Sequence, residues 1–309
     1  MTRIATVLLI LAGLGGAPLT REPAAAPPPQ CEAPASAQPF IPALADSGRI
    51  YRGALRADGR EFWYFRKVSD DPRQEDYRIY VTTRAASGWS EPRRVDLGGE
   101  FSDLYPAISA DGRRLVFASY RRAPGDTSAT PNASLWYAER NGDGWGPARY
   151  IAPASEPGHY HSQVTVAANG DIYFRRTTPD WSRTVELLAP VAGDGYGAAR
   201  PVDDAARFTG SVPGHYVWGA RPGHDGSYML LEVSATDSAG RRGPADLWFS
   251  SGNGAGLWTE PRPLGAGVNT AGAETFPAVS ADGCRLIFTR DFSGFHHVSL
   301  AAAMAVPRD

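Results

Sequence analysis

The chain has 309 residues with 31 basic and 33 acidic side chains, a net charge of −2, so no global basic field marks it as a nucleic-acid binder. Hydrophobic residues make up 42% and charged residues 21%, which supplies a core and excludes a highly charged disordered chain. Glycine (34) and proline (26) are frequent and aromatics are 11%, a mixture of turns and rings that points to an all-β fold.

Residues 1–17 read as a secretory signal: Arg3, an apolar run from Ile4 to Leu14, then small residues. The run is too short to span a bilayer as a helix, and no later run is long enough either. Residues 18–35 are rich in alanine and proline and read as an extended tether. The mature chain is expected to be periplasmic or secreted, monomeric and without a transmembrane segment. Export permits a disulfide between its two cysteines, Cys31 and Cys284.

From residue 36 to residue 304 the chain is periodic. The hairpin pairs Asp58-Gly59, Asp111-Gly112, Asn169-Gly170, Asp225-Gly226 and Asp282-Gly283 recur every 53–58 residues. A type I′ turn, with φ > 0 at both central residues, favours such pairs. A second marker runs in step: Gly88-Trp89, Gly144-Trp145, Gly195-Tyr196 and Leu257-Trp258. Each unit holds four strand-like runs, and no dozen residues show helical periodicity. An aromatic closes the second run (Tyr64, Phe117, Phe174, Phe288, with Leu231 the exception), placed to fill the space between adjacent sheets. Repeats of this length and strand count are propeller blades, here five. The fifth stops after its third strand, so residues 39–44 are expected to supply the fourth and close the ring beside residues 297–300. Cys31 and Cys284 would then lie near the same end of that blade.

The run Asp246-Leu247-Trp248-Phe249, Trp258-Thr259-Glu260-Pro261, Asn269-Thr270, Phe276-Pro277-Ala278-Val279-Ser280-Ala281-Asp282-Gly283 and Leu286-Ile287-Phe288 resembles the TolB-like, WD-repeat-like β-propeller repeat of bacterial envelope and exported proteins. The resemblance implies a propeller used as a binding scaffold. It implies no reaction, because one fold hosts many functions.

Propeller sites gather where loops enter the inner strands and leave the second strands. There the sequence places Asp103, Tyr105, His159, His161, His215 and Glu274, with Arg66, Arg176 and Arg290 at equivalent repeat positions. The arginines read either as a collar for an anionic ligand or as partners of carboxylates such as Asp103 and Glu274. His159, His161 and His215 read as a binding cluster or as ordinary loop histidines. With a carboxylate they would suit a divalent metal, although no metal motif supports one and no cofactor is expected. Gly-x-Ser-x-Gly is absent, so no nucleophile elbow is present. The leading expectation is a non-catalytic module that binds an envelope protein or a glycan on its channel face. The alternative is a carbohydrate-active hydrolase or lyase using Asp103 and Glu274 as its carboxylates.

Overall fold

The computed structural model describes residues 32–44, 48–71, 73–202, 210–212, 214–223, 227–252, 258–265, 267–280 and 282–305. The expected signal, most of the tether, Cys31 and the Asp225-Gly226 turn lie outside them. The fold is a five-bladed β-propeller of antiparallel sheets. Blade 1 runs outward from the axis as Ile50–Leu55, Glu61–Lys67, Tyr77–Ala85 and Arg93–Arg94. Blade 2 is Asp103–Ile108, Arg114–Ser119, Ser134–Asn141 and Arg149–Tyr150. Blade 3 is Tyr160–Val166, Ile172–Thr177, Thr184–Ala189 and Arg200–Pro201. Blade 4 is His215–Pro222, Tyr228–Thr236, Arg242–Ser251 and Arg262–Pro263. It also carries an unforeseen short strand, Gly210–Val212, on its inner edge. Blade 5 is Glu274–Val279, Arg285–Arg290 and Gly294–Ser299, completed by Gln38–Pro39. A five-residue helix, Leu300–Met304, follows, with Ser299 as its N-cap.

The repeat's hairpin differs from the type I′ expectation. In the four described turns only the glycine is left-handed (Gly59 φ 70°, Gly112 72°, Gly170 90°, Gly283 70°). Gly59 N–H donates to Arg56 O at 2.9 Å and Gly112 N–H to Ser109 O at 2.8 Å. This is a type I turn closed by a left-handed glycine. The aspartate serves through its side chain: Asp58 Oδ1 accepts from Arg60 N–H at 3.0 Å and Asp111 Oδ1 from Arg113 N–H at 2.9 Å. It is selected for the local side-chain bond and not for a positive φ.

Five apolar clusters, one per blade junction, make the ring. Trp63, Phe65 and Leu104 join blades 1 and 2, and Val116, Val164 and Phe174 join blades 2 and 3. Val202 packs on Val217 and Leu231 between blades 3 and 4, and Leu247, Phe249 and Phe288 hold blades 4 and 5. Phe40, Ile41 and Leu44 lie with Ile50, Phe62, Ile287 and Phe295 at the last junction. The ring aromatics Tyr64, Phe117, Phe174 and Phe288, and Leu231 in their place, are all at most 1% exposed.

The N-terminal segment closes the ring, but with other bounds than expected: the strand is Gln38–Pro39, pairing His297 and His296, while Pro42–Leu44 forms a 3-10 turn. Pro34 O accepts from Ser299 N–H at 2.7 Å, so the end of the expected tether is already bonded to blade 5. Pairing this way covers the outer edge of Gly294–Ser299, which would otherwise template aggregation. Cys284 is disulfide-bonded. Cys31, the other cysteine of the chain, lies outside the described residues.

Candidate functional site: the channel and its aromatic face

The inner strands share one irregularity. Each pairs with its neighbour through a register shift, between Tyr51 and Gly53, Leu104 and Ala107, Ser162 and Thr165, Val217 and Gly219, and Thr275 and Ala278. The bulged residues Arg52, Tyr105, Gln163 and Phe276 take left-handed φ of 28°, 54°, 60° and 53°. A bulge re-aims its side chain, and here the aim is the axis. Arg52 of blade 1 reaches Gln163 of blade 3, and Tyr105 of blade 2 faces Phe276 of blade 5 at 6.4 Å. Non-adjacent blades meet in this way only across the channel. In blade 4 the residue skipped by the ladder is Trp218, and the position that matches the other four when the hairpins are aligned is Gly219. A Cβ there would stand 2.6 Å from Arg175 Nη2, so the glycine admits a guanidinium from blade 3.

The belt is therefore charged on one side and aromatic on the other. Gln163 Oε1 accepts from Arg52 Nη1 at 3.3 Å and also from Arg221 Nη2; Arg52 Nη2 donates to Thr165 Oγ1. Arg175 pairs with Glu186 through Nε (2.9 Å) and Nη2 (2.7 Å). Arg221 Nη1 lies 2.5 Å from Glu232 Oε1, a buried ion pair. Burial first, and Arg221 second, push the Arg52 guanidinium down to about 9, which leaves it cationic at neutral pH.

The residues singled out in the sequence mostly begin the inner strands instead of lying in loops. Asp103 and Glu274 are buried, on different blades, and each is held by an arginine of its own blade. Arg121 Nη1 donates to Asp103 Oδ1 at 2.7 Å and its Nη2 to Leu97 O at 2.9 Å. Arg290 Nε donates to Glu274 Oε1 at 2.8 Å and its Nη2 to Val268 O at 2.9 Å. The two sets are one device used twice: carboxylate, arginine, and a carbonyl of the inter-blade linker. Burial raises the Asp103 carboxyl, with Arg121 opposing. Arg66, Arg176 and Arg290 do occupy equivalent positions, opposite Ile50, His161 and Glu274. Arg176 pairs with Glu156 at 2.7 Å, and Arg66 lies over the Tyr80 ring at 5.4 Å.

The histidines separate. His159 Nδ1 lies 3.7 Å from Glu156 Oε1, while His215 packs edge-on against Trp248 at 5.1 Å. Among the described residues no group of three His, Cys, Asp or Glu side chains is placed to hold a metal ion. His161 is fully buried; its Nδ1 faces Ala133 O at 3.1 Å and its Nε2 accepts from Glu156 N–H at 3.3 Å. That pattern requires the neutral Nδ1–H tautomer. Burial above all holds its pKa near 4. The unfolded chain takes up this proton near pH 6.5, where the folded one does not. Stability should therefore fall as pH drops from 6.5 to about 4, by roughly 3 kcal/mol from this residue, and its contribution should be flat outside that window. Urea midpoints measured across pH 4–7 check this, and His161→Gln should flatten the slope. His297, half buried and also lowered to about 4, leaves a residual slope in that variant.

Around the belt the face is aromatic. Tyr51 stacks on Phe65 at 5.2 Å and meets Phe292 at 5.8 Å; Tyr160 meets Trp181 at 5.1 Å; Tyr216 meets Trp218 at 4.9 Å, with Arg242 over both rings. Trp181 is 64% exposed, and Phe101, Trp218 and Phe292 are 38–41% exposed. All four sit at or just outside the end where inner strands begin and second strands finish.

Sequence reasoning missed Arg52, Gln163 and Arg221; Arg175 and Glu232, their partners in the channel wall, lie in the second strands of blades 3 and 4. A signal was present. When the hairpins are aligned, Arg221 stands in the column of Ala54, Ala107, Thr165 and Ala278. A cation in a column of small residues on an inward strand marks a departure from the repeat.

No family profile and no curated protein sequence matches the chain. Among solved structures it superposes on a glycoside hydrolase over 89% of this chain and 92% of that one, with a TM-score of 0.52 at 11% identity. It matches a putative TolB from Agrobacterium tumefaciens over 79% and 70% (TM-score 0.45, 13% identity). It also matches prolyl oligopeptidase B from Galerina marginata over 78% of this chain (TM-score 0.42, 14% identity) and spans 30% of that larger protein. At these identities the likeness shows the propeller fold and says nothing about chemistry.

Proposed function

We propose that this chain is an exported, TolB-like propeller that binds a protein or glycan partner without catalysis, using the aromatic face around its channel. The observation that carries the reading is the set of exposed rings on one face: Phe101, Trp181, Trp218 and Phe292. Large rings held at low entropic cost are the usual anchors of a recognition surface. The carboxylates support the same reading. Asp103 and Glu274, the pair nominated for hydrolysis, are committed to arginines inside the blade walls. A general acid needs access to its substrate, and Glu274 has no exposed surface.

The test is retention of partners on immobilised protein, probed with an envelope extract and separately with a glycan array. Trp181→Ala/Phe292→Ala should lose at least 10-fold in retention while melting as the wild type does. Retention equal to the wild type would remove the aromatic face from the reading. Turnover of an arrayed glycan would replace binding with catalysis.

A further inference from the structure

Arg52 and Arg221 are 3% and 7% exposed, and each keeps an Nε without a hydrogen-bond partner. The buried cluster around them holds three guanidinium groups, on Arg52, Arg175 and Arg221. Among the described residues it holds two carboxylates, on Glu186 and Glu232. Arg175 is matched by Glu186 and Arg221 by Glu232. Among the described residues Arg52 has only an amide oxygen and a hydroxyl. One positive charge is in surplus, where burial normally demands a counter-charge.

Arg52 and Arg221 also form part of the wall of a cavity of about 110 Å³ on the axis. Below the belt its wall is apolar, with Leu55, Ile108, Val166 and Val279 each contributed by a different blade. It reaches the hairpin turns at Ala57, Ala110 and Ala168, the end opposite the aromatic face. The chamber thus has two guanidinium groups at its head and aliphatic walls along its length.

We infer that the axial chamber is a binding site for a short aliphatic monocarboxylate, its carboxylate on Arg52 and Arg221 and its alkyl chain among the four aliphatic side chains. Three features select this class. One surplus positive charge is balanced by one negative charge. The planar guanidinium fork matches a carboxylate. A sugar acid would bring hydroxyl groups against Leu55, Ile108, Val166 and Val279, where no acceptor replaces water, so polyhydroxy acids are disfavoured. Size sets the length: cavities of about 150 Å³ accept benzene, so this smaller one suits an acid of about four carbons.

Isothermal titration of the purified full chain with sodium butanoate, acetate, gluconate and inorganic phosphate tests the assignment. Butanoate should bind, and roughly 15-fold more tightly than acetate, because two further methylenes are buried at about fourfold each. Gluconate and phosphate should bind more weakly than butanoate. Arg52→Gln, which removes a cation bonded only to neutral groups, should weaken butanoate at least 10-fold. Ala278→Leu, which fills the chamber and keeps every charge, should do the same. Glu232→Gln adds a second surplus charge and should tighten binding several-fold. Folding of each variant is checked by its thermal melt. The site is distinct from the aromatic face, so Trp181→Ala should bind butanoate as the wild type does, and either result can fail alone. No butanoate heat from folded wild type would overturn the assignment. So would equal binding of gluconate or phosphate, or unchanged affinity in both Arg52→Gln and Ala278→Leu.

Discussion

Replacing Glu274 by alanine should lower the unfolding free energy by about 3–5 kcal/mol, the range for breaking one side of a buried ion pair. Glu274 has no exposed surface and its carboxylate accepts three bonds: from Arg290 Nε at 2.8 Å, Thr270 Oγ1 at 2.6 Å and Thr270 N–H at 3.1 Å. Removing it strands a guanidinium whose other arm is committed to Val268 O. The neighbouring Asn269 bonds both the N–H and the carbonyl of Leu247, so the loss is felt where blade 4 hands over to blade 5. Urea unfolding at pH 7 reads the effect. The control is Glu274→Ala/Arg290→Met. Replacing a buried pair by apolar side chains is often near neutral, so the double variant should recover much of what the single variant loses. A single variant within about 1 kcal/mol of wild type would contradict the assignment of Glu274 to a structural latch. It would also return that carboxylate to the list of groups available for chemistry.

The architecture was legible because it is written five times. Each Asp-Gly or Asn-Gly turn, each aromatic four or five residues beyond its glycine, and each Gly-Trp corner is a local requirement, and repetition separates requirement from accident. The turn type was misread because aspartate has two uses in a turn: it tolerates positive φ, and it accepts a backbone N–H two residues on. Which use applies is decided by the backbone on either side of the turn. The site was less legible for a related reason. A repeat predicts the average blade, whereas the channel chemistry lies in departures from it. Arg221 in an alanine column, Gly219 where other blades carry Arg52, Tyr105, Gln163 or Phe276, and the bulges that turn those side chains inward all arise from non-local fit. Asp103, Glu274 and His161 stood out because charged and titratable residues draw attention. The structure bonds each of them within the blade walls, at equivalent positions two residues before the bulge.

A chain beginning at residue 45, lacking the closing segment, should lose its cooperative unfolding transition and associate through blade 5. Gln38–Pro39 is only two residues long, but the segment acts well beyond that pairing. Phe40 N–H donates to Phe295 O at 2.8 Å, Ala37 N–H to Gly267 O at 2.9 Å, and Pro34 O accepts from Ser299 N–H. Phe40, Ile41 and Leu44, at 8%, 2% and 2% exposed, are three of the eight buried side chains in the wedge between blades 5 and 1. Burying three such side chains contributes about 1.5–3 kcal/mol each, comparable to the whole net stability of a domain. Without them Ile50, Phe62, Ile287 and Phe295 face water and the strand Gly294–Ser299 presents an open edge, a combination that favours strand addition between copies. Size-exclusion chromatography and thermal melts of the truncated chain make the comparison. Larger assemblies than those of the intact chain and a broadened transition are expected, and adding the 32–44 peptide in excess should restore the intact chain's elution in part, by mass action. Full-length chain treated with a reductant separates the strand from the disulfide at Cys284: the ring should stay closed, with a lower melting temperature, because a cross-link acts largely on the unfolded state while the wedge acts on the folded one. A truncated chain that melts like the intact protein would mean that the ring is held by its other four junctions alone, and that the N-terminal segment is an attachment to the propeller instead of part of it.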